Sequence, residues 1–224
     1  MGCIMRSYFP EQNALIFYLL GKKAGGGGGG DVPPGDWHYK VTDKNIENFP
    51  DYGVEQTQNA VNIYDYFRTQ LGWNITSVCA MLGNIHAESG INPGLIEEGG
   101  GTTSAGAGRG LVQWTPASDL YNVLDAVYGS HDDWYNGAKQ IRCIYAEYEQ
   151  TTGAHNWGID GQWYKSTMHP EYNLTFPQFA SNELNKDISY LVGAWCWEYE
   201  RPGVPRMEAR LEYAQHWLNY FNKG

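Results

Sequence analysis

Apolar residues recur at the spacing of one helical face along most of the chain after residue 53. The first such stripe runs through Ala60, Tyr64, Phe67 and Leu71, and Gly72 is expected to end it. Further stripes of the same period predict helices within residues 76–90, 115–127, 134–148, 188–199 and 207–221. The chain is therefore predicted to be mainly helical.

A loop rich in glycine, threonine, serine and alanine interrupts this pattern between Pro93 and Gly110. The segment Leu111–Thr115, LVQWT, then reads as a short β-strand. Thr115 is predicted to cap the following helix, with Pro116 at its first position, where a missing N–H costs no hydrogen bond. The expected fold class is mainly α, an α+β arrangement in which helices surround one small β element.

The amino-terminal part of the chain differs from the rest. Residues 24–30 read AGGGGGG and offer no side chains for packing, and a short apolar helix is predicted before them, around Glu11–Leu20. We divide the chain into an arm with a glycine spacer (1–30), a turn-rich lead-in (31–53) and a helical domain (54–224). The arm has two interpretations, a disordered tail or an anchor that docks on a larger assembly, and we favour the anchor.

Composition narrows the range of functions. The net charge of −10 argues against nucleic acid as a partner, because phosphates would be repelled. No apolar run is long enough to span a membrane, and no signal peptide is recognised. The histidines and the four cysteines lack metal-ligand spacing, so we predict no metal and no cofactor. The cysteines are expected to be reduced and structural, with a Cys143–His155 nucleophile pair as a minor alternative.

Glu88 is the leading candidate for chemistry. It ends an apolar helical run for which Thr76 is the predicted N-cap, just before Gly90 begins a break. A glycosidase needs a carboxylic acid that keeps its proton near neutral pH, and an apolar setting favours the neutral form. Ile85, Ile91 and Trp114 are expected to supply that setting. Without further signals, a solvated surface glutamate would be the simpler interpretation.

Several short blocks around Glu88 resemble one known family. In order along the chain they are MLGN, ES, INPG, GLVQWTP and YERP, at Met81–Asn84, Glu88–Ser89, Ile91–Gly94, Gly110–Pro116 and Tyr199–Pro202. This series is similar to the phage tail lysozymes, which belong to the lysozyme and lytic-transglycosylase superfamily and include tail-knob morphogenesis proteins of small podoviruses. The resemblance covers residues 54–222 and does not extend to residues 1–40. It implies a lysozyme-like fold in which the small β element flanks a cleft.

The resemblance also implies an activity and roles for particular residues. The expected reaction is cleavage of the β-1,4 bond between N-acetylmuramic acid and N-acetylglucosamine in bacterial peptidoglycan, with Glu88 as the acid. Gln113 would hydrogen-bond the sugar and Trp114 would form a wall of the cleft. Tyr199 is expected to lie near the substrate. Tyr199 and Glu200 are also expected to form a buried polar pair that steadies the catalytic helix. The chain would reside in the virion, on a phage tail, with residues 1–30 contacting other particle proteins.

Other assignments are less specific. Ser89 is expected to bind substrate, or to cap or orient the turn that ends the helix. The YERP block is equally consistent with a helix stop in which Glu200 pairs with Arg201 or Arg206.

Hydrolysis usually needs a second carboxylate, and Glu97 and Glu98 in the glycine-rich loop are the best candidates for it. Without one, Glu88 would act first as acid and then as base, which would make the enzyme a lytic transglycosylase. A non-catalytic glycan-binding or structural tail component is the alternative from another class. Glu88 and Gln113 together argue against that alternative.

Overall fold

The computed structural model describes residues 35–43, 48–99 and 106–223, and this part of the chain is mainly helical, as predicted. Its α-helices are α1 Val54–Tyr64, α2 Ile75–Ser89, α3 Ala117–Tyr128, α4 Gly137–Thr152, α5 Phe176–Ser181, α6 Ile188–Trp195 and α7 Met207–Asn222. Segments of π-helix, Asp65–Gln70 and Cys196–Glu200, continue α1 and α6, and a 3₁₀ turn covers Pro170–Tyr172. The arm, its predicted helix, the glycine spacer and Cys3 lie outside the described residues.

The small β element is present, but other residues form it. Strand β1, Thr42–Asp43, pairs in parallel with β2, Leu95–Ile96. The strand predicted at Leu111–Thr115 is wrong, because a tight turn reverses the chain between Gly110 and Gln113, whose φ angles are +79° and +53°. The reversal pairs the backbones of Arg109 and Trp114, which exchange two hydrogen bonds of 3.1 Å.

Two helix starts differ from those predicted. The N-cap of α2 is Asn74, whose side-chain oxygen accepts a hydrogen bond of 2.8 Å from the N–H of Thr76. Pro116, and not Thr115, is the N-cap of α3, which begins at Ala117. The end of α2 is as predicted, since Gly90 takes the left-handed conformation there, with φ +61°, that glycine adopts without steric cost.

Side-chain amides attach the lead-in to the helical domain from residue 35 onward. Asn59 on α1 binds the backbone of His38 in both directions, through bonds of 3.0 and 2.7 Å. Asn92 binds the backbone of Lys40 in the same reciprocal way, at 3.0 and 2.9 Å. These contacts bring β1 beside β2, next to the end of α2.

Helix α2 lies in the core, and most of its residues are buried. The thiols of Cys79, Cys143 and Cys196 are free and buried, as predicted, and burial raises the pKa of each above its ordinary value. His155, the proposed partner of Cys143, is exposed and its ring lies against that of Trp157, with the centroids 4.0 Å apart. Within the described ranges, no helix has the length and apolar character needed to cross a membrane.

Gly83 allows α2 and α7 to approach closely. A Cβ atom at this position would lie 2.5 Å from the backbone oxygen of Arg210 and 2.6 Å from the Cβ of Ala214. Because one of the opposing atoms is backbone, the helices themselves would have to separate. The glycine of the MLGN block therefore sets the distance between the two helices that carry Glu88 and Arg210.

We expect Gly83→Ala to lower the free energy of unfolding by about 1–3 kcal/mol, the usual cost of overpacking a core. Urea denaturation followed by circular dichroism measures this loss. Gly106→Ala is the matched control, because open space surrounds that position. Equal stability of the two variants would contradict the close helix contact.

Candidate active site

A cleft with a volume of about 600 Å³ opens beside the end of α2. Its lining includes the carboxyl-bearing residues Glu88, Glu97, Glu98 and Glu200, together with Gln113, Trp114 and Tyr199. Seven of the eight site residues predicted from the sequence therefore line one cavity. They come from α2, the segment after β2, the Gly110–Gln113 turn and the π-helical segment after α6.

The environment of Glu88 is ionic as well as apolar. Its side chain is 13% exposed, and its Oε1 accepts a hydrogen bond from Nη2 of Arg210 in a salt bridge. Ile85 and Ile91, which were expected to surround the carboxyl, are fully buried in the core and do not line the cleft. Trp114 does line it. The two isoleucines therefore do not surround the carboxyl as expected, and α7 instead places the guanidinium of Arg210 against Glu88.

Arg210 is buried and is bound on several sides. Its Nη1 donates to Oε2 of Glu200 at 2.5 Å and to Oδ1 of Asn84 at 2.8 Å, and its Nε donates to the carbonyl oxygen of Pro205. Burial acts to lower the pKa of Arg210, but the charges of Glu200 and Glu88 raise it above its ordinary value. This guanidinium is therefore a fixed positive charge shared by two carboxyl groups.

Glu200 is the more buried of these two carboxyl groups, with a side chain 2% exposed. Its Oε1 accepts a hydrogen bond of 2.9 Å from Nε1 of Trp195, and its Oε2 accepts the bond from Arg210. Burial raises the pKa of Glu200; Arg210 opposes this effect, and the charge of Glu88 adds to it. Burial in this site therefore favours the protonated form of Glu200.

Glu97 and Glu98 are both exposed at the cleft but differ in how they are held. Oε2 of Glu97 accepts a hydrogen bond of 2.8 Å from the N–H of Gly108, and its backbone N–H binds the carbonyl oxygen of the same residue. No comparable bond fixes the Glu98 carboxylate within the described residues. Glu97 is therefore the better placed of the two candidates for a second carboxylate.

The side-chain N–H groups of Gln113 and Trp114 both donate hydrogen bonds to other parts of the protein. Nε2 of Gln113 donates to the carbonyl oxygens of Leu95, at 3.2 Å, and of Gly110, at 2.9 Å. This amide nitrogen already holds the turn together, so Oε1 is the side-chain atom that remains to accept a further hydrogen bond. Nε1 of Trp114 donates to Glu147 at 3.2 Å, and the residue is buried, with 2% of its surface exposed.

The structure agrees with one of the two roles predicted for Ser89, orientation of the helix end, and contradicts the predicted Tyr199–Glu200 pair. Ser89 is fully buried and donates its hydroxyl to the carbonyl oxygen of Ile85 at 3.0 Å, so it serves the helix end and has no access to a substrate. Tyr199 and Glu200 do not form a polar pair. The Tyr199 hydroxyl binds Glu147 at 2.5 Å, whereas Glu200 binds Arg210 and not Arg201 or Arg206.

Arg210 and Glu147 are the functional candidates that the sequence analysis missed. Arg210 falls at helical spacing between the apolar residues Met207 and Ala214, and Glu147 follows Ile144 by three positions. A charged residue within an apolar stripe is a signal of a buried ionic contact. The stripe alone does not identify the partner, which for Arg210 lies 122 positions away at Glu88.

A family model described as phage tail lysozyme matches residues 58–221, and this range contains every residue of the cleft. The chain belongs to the phage tail lysozyme family. It is also similar to Morphogenesis protein 1 of Bacillus phage B103, with 32% identity over 169 residues. That match covers 73% of this chain and 39% of the relative, so the chain spans well under half of the relative's length.

Membership of the phage tail lysozyme family implies a phage protein with lysozyme-like activity on the bacterial cell wall. The family match begins at residue 58, after the lead-in that packs against α1. Among the described residues, no group of three or more His, Cys, Asp or Glu side chains is placed to hold a metal ion. Carboxyl groups line the cleft, and Arg210 lies between two of them, Glu88 and Glu200.

Proposed function

We propose that this chain cleaves the β-1,4 bond between N-acetylmuramic acid and N-acetylglucosamine in peptidoglycan, with Glu88 as the general acid. The observation that carries the proposal is the position of Glu88, which lines the cleft together with Gln113 and Trp114. The amide oxygen of Gln113 suits a sugar, whose edges carry hydroxyls. A carboxyl group in this setting can donate its proton to the leaving oxygen.

A general acid needs a proton near neutral pH, and the ionic cluster at the cleft is a setting that retains one. With both carboxyls ionised, Glu88, Arg210 and Glu200 would carry one uncompensated negative charge in a poorly solvated site. Burial raises the pKa of Glu200 and so favours its protonated form. Glu88 is the more exposed of the two carboxyls, at 13% against 2%, so we assign proton donation to the substrate to Glu88.

The proposal extends to the second step of the reaction. Glu97, held by Gly108 beside the cleft, would activate a water or stabilise the cationic sugar in a hydrolase, with Glu98 as the less ordered alternative. In a lytic transglycosylase neither would be needed, because Glu88 would return as base and the sugar's own hydroxyl would close an anhydro ring. The hydrogen-bonded Glu97 favours hydrolysis.

Product analysis tests the reaction. Purified peptidoglycan is incubated with the full chain, and the released fragments are identified by mass spectrometry. We expect soluble muropeptides with reducing ends, and fewer of them with Glu97→Gln than with Glu98→Gln. Fragments with 1,6-anhydro ends would establish the transglycosylase instead. Retention of the protein on intact walls without any release would favour a non-catalytic glycan-binding component of the tail.

We also propose that the protein acts as part of a virion, on a phage tail, with residues 1–30 contacting other particle proteins. A net charge of −10 gives the free chain no electrostatic attraction to an acidic cell wall. Attachment to a particle would keep the enzyme concentrated at the wall. Mass spectrometry of purified particles tests this location, and absence of the chain from them would refute it.

A further inference from the structure

Glu147 is a buried carboxyl that the proposed reaction does not use. It lies on α4, its side chain is fully buried, and burial raises its pKa to about 7 even though hydrogen bonds from Tyr199, Trp114 and the backbone of Gln162 act to lower it. Both of its oxygens accept hydrogen bonds, Oε2 from the hydroxyl of Tyr199 at 2.5 Å and Oε1 from Nε1 of Trp114 at 3.2 Å. It therefore has no access to a substrate but contacts two residues that do line the cleft.

The two donors belong to different segments of the cleft lining. Trp114 comes directly after the Gly110–Gln113 turn, and Tyr199 directly precedes Glu200 in the π-helical segment. The tryptophan is thus next to the residue proposed to contact the sugar, and the tyrosine is next to the carboxyl that shares Arg210 with Glu88. One carboxyl group fixes the distance between these two segments.

A packing role alone does not require a carboxyl group at this position. Removal of a carboxyl from water is costly, and an apolar side chain of similar volume often stabilises a core equally well. What the carboxyl group adds is direction, because its oxygens hold their donors at fixed distances. Geometry of this kind matters most where reacting groups must be aligned.

We infer that Glu147 is a positioning residue, which acts through Trp114 and Tyr199 to hold the two segments of the cleft in register for substrate. As far as catalysis is concerned, this inference rests on the proposed function. Its effect on cleft geometry does not depend on that function and can be measured by saccharide binding.

The experiment compares Glu147→Leu, which removes the hydrogen bonds to Trp114 and Tyr199, with Glu147→Gln, whose amide accepts from Trp114 and donates to the tyrosine hydroxyl. Glu198→Leu is the matched control, because Glu198 is also a fully buried carboxyl with a pKa raised to about 7 by burial, yet it does not line the cleft. For each variant, kcat and KM are measured on purified peptidoglycan below the melting temperature. The Kd for an N-acetylglucosamine pentamer and the hydrogen exchange of residues 109–116 are measured alongside.

We expect Glu147→Leu to lower kcat/KM about 10- to 100-fold, as a small misplacement of aligned groups does. Its KM and its pentamer Kd should rise and its exchange at residues 109–116 should quicken, whereas Glu147→Gln and Glu198→Leu stay near wild type. A purely structural role would lower apparent kcat through the unfolded fraction and leave KM and Kd unchanged, which would overturn the inference. If the wild type releases no fragments, the proposed function fails, and exchange and pentamer affinity still decide the inference.

Discussion

Glu88→Gln is expected to lower the rate of muropeptide release about 10²- to 10⁴-fold, the usual contribution of a general acid. Glutamine keeps the size of the side chain and can still accept the hydrogen bond from Arg210 through its amide oxygen. It cannot donate a proton to the glycosidic oxygen. The rate of fragment release from purified walls measures the loss.

Unfolding is not expected to account for this loss of activity. An amide at position 88 leaves Arg210 balanced by Glu200 alone, so the variant should be at least as stable as the wild type. Glu98→Gln is the matched control, because it removes a carboxylate from the same cleft and should keep most of the activity. A Glu88→Gln protein that cleaves walls at the wild-type rate would place the acid elsewhere.

The helices were predictable because their signals are local. An apolar period of three to four residues records which face will be buried, whatever that face packs against. The same applies to Gly90, whose left-handed conformation ends α2 as expected. Short elements were harder, and α5, with six residues, was not predicted. Its capping box at Thr175 and Gln178 is a local signal that was available in the sequence.

The strand at Leu111–Thr115 was wrong for a physical reason. Its apolar and polar residues fit an extended segment, but Gly110 and Gln113 both adopt positive φ angles and fold the chain into a turn. A glutamine in the sequence does not indicate a positive φ angle, because non-glycine residues adopt that conformation infrequently. Hydrogen bonds from its side chain to Leu95 and Gly110 stabilise the turn, and Leu95 lies in a distant segment.

Some residues of the candidate site were likewise predictable from the sequence, and others were not. The family resemblance pointed to Glu88, Gln113 and Trp114, and all of them line one cleft. It gave no indication of Arg210, because the contact depends on how α2 and α7 pack. Gly83 and Asn84 of the MLGN block now have physical explanations, the first in the close helix approach and the second in its bond to this arginine.

Arg210→Met is expected to lower the free energy of unfolding by about 3–5 kcal/mol at neutral pH, the usual cost of breaking a buried ion pair. Methionine fills much of the volume of the arginine stem, so the main loss is the positive charge between Glu88 and Glu200. Urea denaturation measures the difference. The double variant Arg210→Met/Glu200→Gln should recover part of the stability, because it also removes one of the uncompensated carboxylates.

The loss should depend on pH in a defined direction. Arg210 acts to lower the pKa of Glu200, so its removal raises that pKa further above the ordinary value of 4.5. A carboxyl with a raised folded pKa binds its proton more tightly in the native state than in the unfolded state. Both proteins lose this stability as pH rises from 4.5, but the loss ends at about pH 8 in the wild type and continues to higher pH in the variant. Arg210→Met should therefore be closest to wild type in acid and furthest from it in alkali. A deficit that stays constant across this range would show that the arginine contributes through packing and not through its charge.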